Sequence, residues 1–197
     1  MTANVAFKSP SAAAQLSLFC PPQLIAGEDR AAYDELFATV CATVRPADIV
    51  EEIHVRDFVD CEWDVRRYRR LKVGLMATTA YQGLKKVLEP ISFEGWLDLV
   101  EAWAARKPEA VEEVDRRLAA AELTIDAVMA QTLCEHLDEI KGIEAMIAMA
   151  EVRRNAALCE IERHRAALAL RLRQTVQQID AEYQAVDVKL AEPKRPS

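Results

Sequence analysis

Hydrophobic residues recur at helical spacing along most of the chain, and the longest such pattern runs from Thr124 to about Val188. No proline falls between Pro108 and Pro193, and Gly142 is the only glycine in the patterned stretch. Steps of three and four residues between apolar positions are typical of one helix face. The apolar positions are Met129, Leu133, Leu137, Ile140, Ile143, Ile147, Leu158, Ile161, Leu168, Leu172, Val176, Ile179, Tyr183 and Val186. The pattern predicts one very long helix with Thr124 as its N-cap.

A second long helix is predicted from about Ala47 to Leu88, because Pro46 and the acidic residues after it suit a first helical turn. Its middle part, 55–72, is apolar on several sides, so this helix should have neighbours on several sides. Some of its charges must then be partly covered, and a covered charge is tolerated only when it is paired. The sequence therefore predicts a structural ion-pair network. Its members are Asp60, Glu62, Asp64, Arg66 and Arg67.

Shorter amphipathic helices complete the predicted fold. One begins after Asp29, its predicted N-cap, and two follow the second long helix, the first capped by Ser92 and the second spanning about 108–121. We expect Trp96 and Trp103 to pack this pair across the two long helices. With only five glycines in 197 residues, the chain is predicted to be all-α. The architecture is a long antiparallel helical hairpin with short accessory helices.

Three segments are predicted along the chain. Residues 1–26, rich in alanine, serine and proline, should form a flexible tail. Residues 27–188 should form the helical domain with a projecting C-terminal helix, and 189–197 a second flexible tail. Five cysteines without a C-x-x-C pair favour free thiols in a reducing cytoplasm. No apolar run approaches the length of a membrane span, so no membrane partner is expected.

Candidate catalytic chemistry is sparse. Glu51 and His54 have the spacing of one half of a di-iron site in a helical bundle. The second half is missing, because hydrophobic residues stand three positions before His136 and His164. Glycine-rich phosphate loops are also absent from the sequence. The sequence therefore predicts no enzyme activity, no metal and no cofactor.

Several motif blocks resemble an uncharacterised family of bacterial all-helical proteins. The resemblance covers roughly 27–172 and implies a helical fold, but it brings no activity, cofactor or catalytic residue with it. The blocks are Gly27–Asp29, Tyr33–Leu36, Pro46–Glu52, Trp63–Lys72 and Arg153–Leu158.

The unequal lengths of the two long helices predict an interaction surface. The helix 47–88 is about two-thirds as long as 124–188, so antiparallel pairing leaves 168–188 uncovered. An exposed apolar stripe usually marks an interface. Its predicted members are Leu168, Leu172, Val176, Ile179, Tyr183 and Val186. The expected partner is a second copy, as a homodimer, or another helical protein, and the chain would act as a scaffold.

Nucleic acid is the alternative partner, which would make the chain a binding accessory of a mobile element. Two basic clusters could contact phosphates. They are 66–72, and Arg153, Arg154, Arg163, Arg165, Arg171 and Arg173. Against this, acidic residues lie close to the first cluster and the formal net charge is −7. Solvated faces and intramolecular pairing are therefore favoured over nucleic-acid binding.

Overall fold

The computed structural model describes the backbone of residues 21–91 and 94–191, and the side chains of 21–90 and 94–184. These ranges contain helices and no strands, which confirms the all-α class, and they contain the two long helices. A short 3₁₀ turn, Glu89–Ile91, follows the second helix. The helices are α1 (Arg30–Val44), α2 (Ile49–Leu88), α3 (Trp96–Ala104), α4 (Pro108–Ala120), α5 (Ile125–Glu135) and α6 (Leu137–Ala191).

Helix α2 is the centre of the fold and packs against α1, α3, α5 and α6. It runs antiparallel to α6, since Asp48 at its N-cap meets His164 whereas Lys72, farther along, meets Glu144. The apolar residues that α2 buries lie on several sides of it, as the sequence predicted. They are Val55, Val59, Cys61, Val65, Ala80, Leu84 and Leu88. No helix in the described ranges has both the length and the apolar character needed to cross a membrane.

The prediction of one unbroken helix from Thr124 is wrong at His136, where α5 ends and α6 begins. Thr124 does cap α5, since its side chain accepts a hydrogen bond from the amide of Asp126 at 3.3 Å. Helix α5 buries Val128 and Thr132, while the predicted Met129 is partly buried against the same core and the predicted Leu133 is exposed.

Helix α5 approaches α2 very closely at Gly83. A Cβ atom built on Gly83 would lie 2.7 Å from the backbone nitrogen of Thr132, and closer still to its hydroxyl and to the Val128 carbonyl. Only glycine leaves room for α5 at this distance. His136, at the end of α5, then hydrogen bonds Gln82 across the same contact at 2.9 Å. These contacts hold α5 against one end of α2.

The two short helices that follow α2, α3 and α4, pack at the end of α2 that α5 contacts. Their apolar faces share one core with α2 and with α5, which is the first part of the stretch 124–188 predicted as one long helix. Trp103 is buried in this core and Trp96 packs against it, while α4 contributes Val114 and Leu118. The predicted N-cap Ser92 lies outside the described residues.

The predicted tails differ from the structure where it describes them. Residues 1–20 of the predicted tail 1–26 lie outside the described ranges. The part from 21 to 26 is anchored on α2, because Arg67 Nη2 donates a hydrogen bond to the Gln23 carbonyl at 2.6 Å. At the other end, α6 continues to Ala191, beyond the predicted boundary at 188. Residues 192–197 lie outside the described ranges.

Candidate functional site

Helix α6 leaves the helical body at His164 and Arg165, opposite the first turn of α2. Asp48 caps α2, and its Oδ1 accepts hydrogen bonds from two amides of that turn, both at 3.0 Å. Its Oδ2 lies 2.7 Å from His164 Nε2. One carboxylate therefore starts α2 and holds α6 at the same time.

Arg165 makes the second attachment, one residue later. Its guanidinium donates two hydrogen bonds to Glu51, at 2.9 and 2.8 Å, and a third to the Val44 carbonyl at 2.9 Å. The Glu51 side chain is 1 % exposed and also accepts from the amide of Ala47 at 3.0 Å. The hydrogen bonds from Arg165 lower the pKa of Glu51, although burial opposes them. Arg165 thus ties the end of α1, the start of α2 and α6 together.

Past this attachment, α6 projects away from the rest of the described chain. Every residue from Ala169 to Gln184 is exposed. The 23 residues from Ala169 to Ala191 extend about 34 Å at the rise of an α-helix. The two attachments at the base give this projecting segment, 169–191, a defined direction relative to the body.

The predicted interface residues lie mainly on this projecting segment. Leu172 and Tyr183 are 67 % and 71 % exposed, and Val176 and Ile179 are also exposed. Leu168 is half-buried where the segment begins. The side chain of the sixth predicted residue, Val186, lies outside the described ones.

Charged residues border this apolar stripe on both sides. At about 100° per residue, the stripe from Leu172 to Tyr183 occupies a single narrow face of α6. Arg173 and Asp180 lie along one border of the stripe, and Arg171 and Glu182 lie along the other. Each border therefore carries one positive and one negative side chain. An apolar stripe with charged borders is the pattern of a helix that pairs with another helix.

The predicted ion-pair network lies in the body, between α2 and its neighbours. Arg66 Nε lies 3.0 Å from Glu62, and Arg67 Nη1 lies 2.5 Å from Asp64. Asp60 accepts a hydrogen bond from the hydroxyl of Tyr33, on α1. Burial and the neighbouring Asp60 raise the pKa of the Tyr33 hydroxyl, so it stays a donor. Asp60, Glu62 and Arg67 therefore have partners on other elements, whereas Asp64 and Arg66 pair within α2.

Glu28 is the partner that the sequence pattern did not reveal. It precedes α1, and its side chain, which is 1 % exposed, accepts two hydrogen bonds from Arg67, at 2.8 and 2.9 Å. Arg70 adds a third at 3.1 Å. These contacts, led by Arg67, lower the pKa of Glu28 to about 2. Local spacing could not identify this pair, because 39 residues separate Glu28 from Arg67.

A cleft of about 320 Å³ lies beside this network. Its polar walls are formed by groups that already bind one another. Arg67 is held by Glu28 and Asp64, and Asp60 is held by Tyr33. The cleft is therefore lined by structural contacts, with the acid and base groups neutralising each other.

The candidate metal ligands are engaged in other contacts. Glu51, half of the di-iron spacing, has both carboxylate oxygens bound to Arg165, and His54 lies 3.9 Å from Asp57 instead. No group of three or more histidine, cysteine or acidic side chains suited to a metal ion occurs among the described residues.

Comparison of the chain with protein-family models, with curated proteins and with solved structures found no match. The resemblance to a bacterial helical family therefore stays a prediction from the motif blocks. The case for a function depends on the geometry of the projecting segment.

Proposed function

We propose that this chain is a helical interaction or scaffold protein, without enzymatic activity, whose interaction surface is the projecting segment. The observation that carries the proposal is the apolar stripe of Leu172, Val176, Ile179 and Tyr183, which the body leaves exposed. An exposed apolar stripe on a helix is stabilised by packing against another helix or a groove. The partner is a second copy or another helical protein.

The firm attachment of α6 to the body supports this role. The hydrogen bonds of His164 and Arg165 to the start of α2 hold the base of the segment. A surface whose direction is already defined loses less conformational entropy on binding. We place the protein in the bacterial cytoplasm, in line with its unpaired cysteines and with the family that its motif blocks resemble.

Pairing of the first basic cluster supports an interaction protein over the alternative, a nucleic-acid-binding accessory of a mobile element. Each of its cations contacts a carboxylate within the chain, so fewer charges remain for phosphates. The pairs are Arg66 with Glu62, Arg67 with Glu28 and Asp64, Arg69 with Glu151, Arg70 with Glu28, and Lys72 with Glu144.

The matched variants Ile179→Glu and Gln174→Glu test the proposal. The first places a charge inside the apolar stripe, and the second places the same charge on another face of the helix. We expect Ile179→Glu to weaken association at least about tenfold, because an unpaired charge would have to be buried. Gln174→Glu, on the side of the helix opposite the stripe, should leave association unchanged. Light scattering of the purified chains measures the effect.

Both variants should unfold at the temperature of the parent chain, because both positions lie beyond the body. If the purified parent is a single-chain species, the same two variants are compared for capture of a helical partner from lysate. Equal association, or equal capture, by the two variants would overturn the proposal.

A further inference from the structure

We propose that the partner of the projecting segment is a second copy of this chain, bound antiparallel about a two-fold axis between Gln177 and Gln178. This inference rests on the proposed function, because it names the occupant of the same surface. The symmetric spacing of the apolar residues in the stripe and the arrangement of charges along its borders support it.

The apolar stripe has the same spacing in both directions. Its four exposed members are separated by four, three and four residues. An antiparallel copy turned about the proposed axis therefore places Leu172 opposite the partner's Tyr183, and Val176 opposite the partner's Ile179. Every apolar residue of the stripe meets an apolar residue, with no shift in register.

The charges of the first border are complementary about the same axis. In an antiparallel pair, a given border of one helix faces the same border of the other. The positions of Arg173 and the partner's Asp180 then differ by only about 3 Å along the helix axis. The two-fold symmetry produces this attractive pair twice.

The second border repeats the arrangement. Arg171 and Glu182 are placed about the axis in the same way, so Arg171 also comes within about 3 Å, along the axis, of the level of the partner's Glu182. Antiparallel pairing therefore gives four attractive pairs between the two copies. Arginine side chains are long enough to bridge an offset of this size.

Parallel pairing lacks these attractions. In a parallel pair, one border of a helix faces the opposite border of its neighbour, and the facing residues differ by about five in sequence number. Arg173 would then face the partner's Leu168, and Asp180 would face the partner's Thr175. The antiparallel arrangement is thus the one that uses the charges of the segment. It also places the two bodies at opposite ends, with their Leu168 positions about 29 Å apart along the axis.

Charge reversal tests the inference. Arg173→Glu and Asp180→Arg should each weaken dimerisation about tenfold at low salt, since two attractive pairs become repulsive. The double variant should regain the parent affinity, because the same pairs re-form with exchanged signs. A mixture of the two single variants should associate more strongly than either alone. Sedimentation equilibrium at low ionic strength measures all four cases, with Gln174→Glu as the control for added charge.

Failure of the double variant to recover would overturn the antiparallel copy, and so would single variants that dimerise like the parent. A parent chain that remains a single-chain species would overturn it as well. The proposed function is judged separately, since Ile179→Glu reports on the stripe whatever its occupant. A different helical protein, captured by the parent and lost with Ile179→Glu, would leave the proposed function standing while this inference fails.

Discussion

Replacing Gly83 with alanine should lower the free energy of unfolding by about 3 kcal/mol or more, because α5 would be forced away from α2. The added Cβ would lie 2.7 Å from the backbone nitrogen of Thr132, and backbone atoms cannot rotate aside as the end of a side chain can. Separation of the two helices would also strain the hydrogen bond between His136 and Gln82.

Gly74→Ala is the matched control, since Gly74 lies in the same helix and a Cβ there meets nothing within 4 Å. It should stabilise the chain by about 0.5–1 kcal/mol, as alanine is the better helix former. Urea denaturation followed by circular dichroism measures both variants. Equal stability of the two would show that the close contact at Gly83 is absent.

Arg67→Met should destabilise the chain by about 3 kcal/mol, because it leaves the Glu28 carboxylate buried without its main partner. Arg70 remains near one oxygen of Glu28 and limits the loss. Arg66→Met is the control. Arg66 is exposed and Glu62 keeps Arg154, so this variant should change stability by less than about 0.5 kcal/mol.

The same variant should alter the acid unfolding of the chain. The pKa of Glu28 is lowered from 4.5 to about 2 in the folded chain. Its ionised form therefore stabilises the fold above pH 4.5, and this contribution is lost as the pH falls towards 2. Arg67→Met should flatten that part of the stability profile. A parallel profile for parent and variant would contradict the assignment of Glu28 as the partner.

The sequence pattern predicted the long helices well, because their signals are local. Apolar spacing, the caps Asp29 and Thr124, and the position of Pro46 all act within a few residues. The break at His136 lies beside the close contact of α5 with Gly83, a residue on another helix. A contact between segments so far apart in the chain leaves no mark on the local spacing.

The ion-pair network was also predictable only in part. Spacing along α2 predicted Arg66 with Glu62 and Arg67 with Asp64, and both pairs are present. The partners Glu28, on the segment before α1, and Arg154, on α6, could be found only once the helices were placed. Long-range pairing requires knowledge of the packing, which a periodic pattern does not contain.

The projecting segment could be anticipated because helix lengths alone imply an uncovered end. The lengths also predicted that the uncovered part begins near residue 168, close to the observed exit point of α6, but they did not reveal the contacts that hold it there. That point depends on Asp48 and Glu51 meeting His164 and Arg165, more than 110 residues away in each case. The charged borders of the stripe begin immediately beyond this exit point. They could be recognised as part of an exposed surface only once that point was known.

Sedimentation equilibrium of the full chain and of a chain truncated after Leu168 tests the central claim most directly. The cut removes the projecting segment and keeps the hydrogen bonds of His164 and Arg165, so the truncated chain should unfold at nearly the parent temperature. The full chain should approach twice the single-chain mass as concentration rises, and the truncated chain should keep the single-chain mass throughout. A full chain that stays at the single-chain mass would contradict the antiparallel dimer, and a truncated chain that associates equally well would contradict the projecting segment as the interaction surface.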